Sequence, residues 1–413
     1  MSVYFERYAH ADPLIKEKPS PKLGLVVTVP CYDEPELTSS LASLAYCHPG
    51  RMDAEVIVVI NHSEQDSAAV KKQNQVTYHK AQEFAEIYSA PHLRFHILLK
   101  ELPAKHAGVG LARKIAMDEA ARRLNSVGKQ DGVISCFDAD SLCLDNYLLV
   151  LEHFFESYPN SPGCSIYFEH PLDGKLDEDI YHAITDYELF LRYYVHALRY
   201  AGFPHAYQTI GSSMAVRNNA YQKQGGMNKR KAGEDFYFLH KIIPLGGFGE
   251  VNGTKVIPSP RKSNRVPFGT GKAVNDWMAQ KALSTYHLDI FKDLLVFYTQ
   301  LRLLEDYNDL KIKWFKSLPK PLFEFGKTIE LYANVDRIKQ NSGHWNTFIA
   351  NFHKWFDGFK VLKYVHFARD NFYPNVPIQQ AAQGLLERIH GVTQAKNNRL
   401  LLEAYRSLDR KSN

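Results

Sequence analysis

Cysteine is scarce and carries no metal-binding spacing. The five cysteines stand at 31, 47, 136, 143 and 164, and no two of them form a C-x-x-C pair. An odd number without a framework argues against disulfide scaffolding and zinc, and leads to the expectation of reduced thiols in a cytosolic chain. Long apolar runs are missing too: none approaches the roughly 20 residues that would cross a bilayer. The opening residues, M-S-V-Y-F-E-R-Y-A-H, have no apolar core, so no secretory signal is expected. Charge of one sign is nearly balanced by the other. A net charge of +5 is too small an excess to mark a nucleic-acid surface. No internal repeat or low-complexity segment occurs. The expectation is a cytoplasmic protein without a transmembrane segment. A pI near 8.7 and one basic segment leave room for peripheral contact with the inner face of a membrane.

What is present fits a globular enzyme-sized chain. Hydrophobic residues make up 45% and charged residues 23% of 413 positions, enough apolar material for one large α/β domain and a second unit. Short apolar runs at 23–29, 54–60 and 93–99, and a fourth from 133 that runs into Asp138, read as buried strands. Amphipathic stretches at 67–88, 111–124 and 147–155 read as helices between and after them. Such alternation predicts a mostly parallel sheet flanked by helices, with right-handed crossovers placing the strand carboxyl ends on one rim. A strand at 165–169, a Tyr-rich helix at 177–199, a strand at 209–216 and a helix at 236–243 follow. From 273 onward the pattern is helical, with candidates near 274–284, 290–305, 321–333, 345–359, 378–390 and 394–408. The expected division is an N-terminal arm 1–20, an α/β domain 21–272 with halves 21–145 and 146–272, and a C-terminal helical subdomain 273–413.

Chemistry concentrates in the stretch 133–142, where a short strand runs into Asp138-Ala139-Asp140 and a polar turn follows. In extended backbone the two carboxylates would point to opposite faces, whereas a turn from Ala139 brings both toward one point. Hard oxygen ligands at a strand's carboxyl end suit Mg2+ or Mn2+ held together with a substrate diphosphate. The plain alternative is an acidic pair that ends a strand and solvates a turn. Asp33 likewise reads as a helix cap, and Glu234-Asp235 as an acidic start that favours the helix dipole by about 0.3–1 kcal/mol. Between 252 and 272 lie Lys255, Arg261, Lys262, Arg265 and Lys272 with no acid, among prolines and glycines. This reads as a mobile basic loop suited to fold over phosphate, or as a solvated face.

Five pieces in order resemble the family-2 glycosyltransferases of GT-A fold: V-P-C-Y-D-E-P-E at 29–36, G-V-G-L-A-R-K at 108–114, Asp138-Ala139-Asp140, G-S-S-M-A-V-R with G-G-M at 211–227, and G-E-D-F-Y-F-L at 233–239. The resemblance spans about 23–243 and excludes the C-terminal helices. It implies a Rossmann-like GT-A sheet and inverting transfer of a sugar from a nucleotide-sugar, a UDP-sugar favoured, to an acceptor hydroxyl. By the family pattern Asp235 is the general base and Glu234 contacts or orients the acceptor. Asp140 is the direct ligand of Mn2+ or Mg2+, and Asp138, with Ala139 beside it, contacts ribose or metal. Pro30, Tyr32, Asp33 and Glu34 match the first nucleoside-binding set. Asn61 stands where the family commonly has an Asp, and its carbonyl can still accept from a base N–H. Arg113 and Lys105 could each reach donor phosphate or anchor the rim, and Arg261 and Arg265 belong to the basic loop. The acceptor would be a carbohydrate, a lipid-linked or a small-molecule hydroxyl compound. No nucleic-acid partner is expected.

Two other readings compete. A nucleotidyltransferase making sugar nucleotides needs a glycine-rich basic loop after the first strand, where this chain has P-C-Y-D-E-P-E. A degenerate scaffold or lectin would have no need of Asp138, Asp140, Glu234 and Asp235. A dehydrogenase is disfavoured because Gly108-Val109-Gly110 lacks a third glycine and follows a loop.

Overall fold

The computed structural model describes residues 3–10, 13–263, 269–306, 311–391, 395 and 397–411. It divides into two units. The first comprises Met1–Ile184, Thr209–Met278 and Ser407–Asn413, and the second Thr185–Gln208 and Ala279–Arg406.

An eight-stranded sheet organises the first unit. Its strands in chain order are β1 (Leu23–Cys31), β2 (Asp53–Ser63), β3 (Leu93–Leu102), β4 (Val133–Cys136), β5 (Leu142–Cys143), β6 (Gly163–Phe168), β7 (Met214–Arg217) and β8 (Gly249–Ile257). In space they run β3-β2-β1-β4-β7-β6-β8-β5. All nine residues of β1 are buried, as a strand covered on both faces requires. The block β3-β2-β1-β4 is parallel. Beyond it β7 is antiparallel to both β4 and β6, while β8 runs parallel to β6. The α/β architecture flanked by helices is therefore as expected, with parallel pairing confined to the first four strands and to β6/β8.

Helices follow from local chemistry. Ser67 caps the helix Ala68–Tyr88 by accepting from Val70 N at 3.3 Å, the usual N-terminal device. The helix Val109–Ser126 packs on β1 and β2, and its buried face includes Leu111, Ile115, Met117 and Leu124. The described N-terminal residues dock along that same helix. Tyr4 is 4% exposed and donates to Asp118 Oδ1, His10 N donates to Asp118 Oδ2 at 2.7 Å, and the Leu14 and Ile15 amides donate to Glu119.

The short strand expected ahead of Asp138 is β4, which ends at Cys136, and the expected polar turn follows it, closed by Ser141 N donating to Asp138 O at 3.0 Å. Leu142–Cys143 then joins the far edge of the sheet beside β8. Two other expectations need correction. The expected basic loop 252–272 begins inside β8, whose alternating burial at Val251, Thr254 and Val256 is masked in sequence by Gly253 and Lys255. A helix, Thr270–Gln280, takes up its other end. Asp33 does not cap the next helix. Glu36 stands at the N-cap of Leu37–Ala45 without a side-chain bond, and Asp33 instead takes a left-handed φ of 49°.

In the second unit the helices Leu288–Leu301, Lys320–Thr328, Leu331–Gln340, Trp345–Trp355, Gly358–Asn371 and Ile378–His390 pack through aromatic rings. Phe297 lies 5.1 Å from Phe356 and 5.9 Å from Phe352, centroid to centroid. The helix Gly358–Asn371 has no counterpart among the expected ones. The Gly358 start lowers helix propensity, yet Asp357 caps it through Lys360 N at 3.0 Å. Among the described residues no helix is long and apolar enough to cross a membrane.

Candidate active site

Arg113 is the hub. It sits in the second turn of Val109–Ser126 and is 2% exposed. Its Nη2 donates to Asp138 Oδ1 at 2.9 Å, its Nε to Glu234 Oε1 at 3.2 Å and its Nη1 to the Gly211 carbonyl at 2.9 Å. One guanidinium thus joins three segments that are separate motifs in sequence: the Asp138 turn, the Gly-Ser-Ser segment and the Gly-Glu-Asp helix start. Each of the three nitrogens makes a bond to the protein.

The helix that bears Arg113 owes its close packing to glycine. Gly110 faces the Arg230 backbone so closely that an added Cβ would lie 2.1 Å from the Arg230 carbonyl oxygen. The 228–233 loop can therefore cross the helix start and deliver Glu234 and Asp235 to the Arg113 side.

Asp235 opens the helix Glu234–Ile242. Its Oδ1 accepts from Phe236 N at 2.7 Å. A Cβ placed on Gly211 would sit 2.9 Å from Arg113 Nη2 and 3.1 Å from Asp235 Oδ2, so the missing side chain at 211 leaves the space between these groups. The residue keeps some surface, but burial of the carboxyl, followed by the charge of Glu234, raises Asp235 to about 7, with Arg113 opposing. Glu234 itself is 3% exposed. Three acids (Asp138, Glu234, Asp235) therefore share one buried cation, and the surplus negative charge falls on Asp235.

A second group lies at the ends of β1 and β4. Arg261 Nη1 donates to Glu34 Oε1 at 3.0 Å and Nη2 to Asp140 Oδ2 at 3.2 Å. Glu34 is 1% exposed and also accepts from Glu36 N. Asp138 and Asp140 thus face different guanidinium groups, Arg113 and Arg261. Hard carboxylate oxygens suit a divalent cation, and among the described residues no third His, Cys, Asp or Glu joins them in a metal-holding group. Two carboxylates make an incomplete set, so Mn2+ or Mg2+ held here would need substrate phosphate oxygens and water as its remaining ligands.

The remaining candidates occupy varied settings. Pro30 is buried at the end of β1 opposite Val59. Tyr32 and Asp33 are half-buried just beyond it, with Asp33 N donating to Asn74 Oδ1 at 2.9 Å. Asn61 commits its amide nitrogen to Cys31 O at 2.8 Å, tying β2 to β1. Ala139 is 7% exposed, and Lys105 is exposed. Arg265 lies outside the described residues. The glycine at 211 was legible as part of a motif, but its function as spacer and carbonyl acceptor needed the fold.

No protein-family model and no curated protein matches the chain. Among solved structures, residues 1–349 of S. aureus TarS in complex with UDP-GlcNAc are similar at 14% identity, over 77% of this chain and 92% of that one, with a TM-score of 0.42. The complex of the same protein with UDP is similar at 13% identity, over 94% and 88%, with a TM-score of 0.38. Likeness of this degree leaves the reading of the site to its own geometry.

Proposed function

We propose that this chain is an inverting, metal-assisted glycosyltransferase of the GT-A, family-2 kind. It would move a sugar from a nucleotide-sugar, a UDP-sugar by preference, to the hydroxyl of a carbohydrate, lipid-linked or small-molecule acceptor. The observation that carries this reading is Asp235, a carboxyl raised to about 7 in a network that ties it to the Asp138 turn. A general base works best with a pKa near the operating pH.

In the reaction the acceptor hydroxyl gives its proton to the Asp235 carboxylate as its oxygen forms a bond to the anomeric carbon. The bond from that carbon to the nucleoside diphosphate breaks on the opposite face, and the electron pair leaves with the phosphate. Glu234, fixed by Arg113, keeps Asp235 basic by its charge and borders the acceptor side. Arg261, on the segment entering the basic loop, exchanges a carboxylate for the diphosphate and meets its growing charge. Asp138 and Asp140 would hold Mn2+ or Mg2+, which when bound supplies further positive charge to the leaving group.

Thermal-shift measurements with UDP, GDP and dTDP, with and without MnCl2, test the donor half. Hydrolysis of UDP-sugars by wild type and Asp235→Asn tests the chemistry. Stabilisation by a nucleotide without any turnover favours the scaffold reading. Pyrophosphate release from a nucleoside triphosphate plus sugar phosphate would replace the proposal with nucleotidyl transfer, and indifference to every nucleotide would end both.

A further inference from the structure

Two of the five cysteines meet beside the proposed donor site. Cys47 follows the helix Leu37–Ala45, and Cys143 lies in β5, three residues beyond Asp140. Their sulfurs are 3.8 Å apart. Ser43 of the same helix already holds the partner strand, its hydroxyl accepting from Cys143 N at 3.3 Å. Ser40, one turn earlier, donates to Asp138 O at 3.2 Å, and His48 N donates to Asp145 O at 2.7 Å. The two segments are thus held in register on both sides of the thiols. Cys47 is 5% exposed, whereas Cys143 is half-buried between Leu142 and Leu144, which are 41% and 38% exposed, so the β5 edge is the side from which a small oxidant approaches the pair.

From this juxtaposition we infer that Cys47 and Cys143 form a reversible disulfide that responds to peroxide and locks the Asp138–Cys143 turn against the helix Leu37–Ala45. Closing the sulfur gap to a bond of about 2.05 Å needs an approach of about 1.8 Å, a distance that side-chain rotation and small shifts of a two-residue edge strand can supply. The Cys143 thiol can donate to Cys47. That bond draws the Cys47 thiol below its ordinary range, while the bond to Cys47 and burial raise Cys143, which makes Cys47 the attacking sulfur. Its thiolate displaces hydroxide from hydrogen peroxide and becomes a sulfenic acid. The Cys143 sulfur then attacks that sulfur, and the sulfenic oxygen leaves as water. In sum two thiols and one peroxide give one disulfide and two waters, the thiols losing two electrons and the peroxide gaining them.

The consequence follows from what each partner carries. Glu34 precedes the helix that leads to Cys47. Cys143 pairs with Val256 of β8, the strand that runs on to Arg261, and Asp140 stands just before Cys143. A cross-link at the base of these segments fixes the spacing at which Arg261 bridges Glu34 and Asp140. A diphosphate must displace that bridge, so its affinity falls with the open fraction. This last step rests on the proposed donor site, whereas the cross-link itself does not.

The test compares reduced protein before and after hydrogen peroxide. Intact mass is expected to fall by about 2 Da, the two hydrogens lost. A non-reducing peptide map should join the Cys47 and Cys143 peptides, and dithiothreitol should reverse both. Amide hydrogen exchange over 138–144 should slow in the oxidised form, and UDP affinity should fall about tenfold. Cys143→Ser and Cys47→Ala are both checked for fold by circular dichroism and should keep UDP affinity constant through peroxide treatment. Cys47→Ala should lose the mass change, and Cys143→Ser should replace it with a gain of about 16 Da on the Cys47 peptide. Oxygen addition without hydrogen loss in the wild type, a bridge between other cysteines, or a bridge that persists in Cys143→Ser overturns the thiol pair. A bridge that forms yet leaves exchange over 138–144 unchanged overturns the lock. Slowed exchange with unchanged UDP affinity overturns the link to donor binding, and absence of UDP binding in the reduced protein instead refutes the donor site.

Discussion

Two buried arginines ten residues apart on one helix face different numbers of acids. Arg113 and Arg123 are 2% and 3% exposed, and each bonds carboxylate through more than one contact. Arg123 grips Glu55 of β2 with Nε and Nη2 and gives Nη1 to Glu17 O at 2.7 Å, with His96 of β3 beside it. Burial works to raise Glu55, but the bonds from Arg123 and His96 outweigh it and hold that carboxyl below its ordinary range. Arg113 faces Asp138 and Glu234 directly, with Asp235 at their side. Burial of the carboxyl, followed by the charge of Glu234, pushes Asp235 up, and the one cation lowers it too little to offset them. A buried arginine–carboxylate contact is therefore no mark of a site in itself. The imbalance of charge around it is, because desolvated like charges are what separate pKa values.

The largest expected effect breaks the comparison at its active end. Asp235→Asn should lower kcat by about 10²–10⁴-fold while UDP affinity, read by calorimetry, stays near wild type. A loss of less than tenfold would remove Asp235 from the role of base. Next come the two arginines themselves. Arg113→Met and Arg123→Met each strand a buried carboxylate, and chemical denaturation should show each losing about 3–5 kcal/mol. They should part in the pH profile. In wild type kcat/KM should fall as pH drops below about 7, since the proposed base must be unprotonated. Arg113→Met removes the opposing cation and should shift that acid limb to higher pH, whereas Arg123→Met should leave it in place. Equal shifts in both variants would erase the distinction.

The same carboxyl links stability to pH. The folded state holds the Asp235 proton up to about pH 7, and the unfolded chain releases it near 3.8. Stability from this group is thus complete below about pH 4 and is lost as pH rises through 7. Asp235→Asn should flatten that decline, gaining on wild type at pH 8 and matching it at pH 4 in denaturant midpoints. The smallest effect concerns the N-terminal residues. Tyr4→Phe removes one of the bonds to Asp118, which keeps Tyr221 and Lys114, and should cost about 1 kcal/mol without moving the pH–rate limb.

Much of the first unit was legible residue by residue. The runs at 23–29 and 54–60 found β1 and β2 because parallel strands buried on both faces are continuously apolar. The helix expected over 67–88 matched Ala68–Tyr88, its Ser67 cap being a local signal. Where recognition depended on partners, local reading fell short. Lys255 looked like one charge of a loop, yet it pairs with Glu169 Oε2 at 2.8 Å within the sheet unit. Asp33 has the composition of a cap, but φ of 49° and the Asn74 contact give it another task.

The chain's own order of residues determined that it builds an α/β sheet with acids at strand ends, since hydrophobic period and turn chemistry act within a few residues. Only the tertiary structure decided that Arg113 joins Asp138 and Glu234, that burial raises Asp235 to about 7, and that two thiols meet. Those outcomes depend on distance and desolvation between segments up to about a hundred residues or more apart in sequence, quantities that no local pattern of side chains encodes.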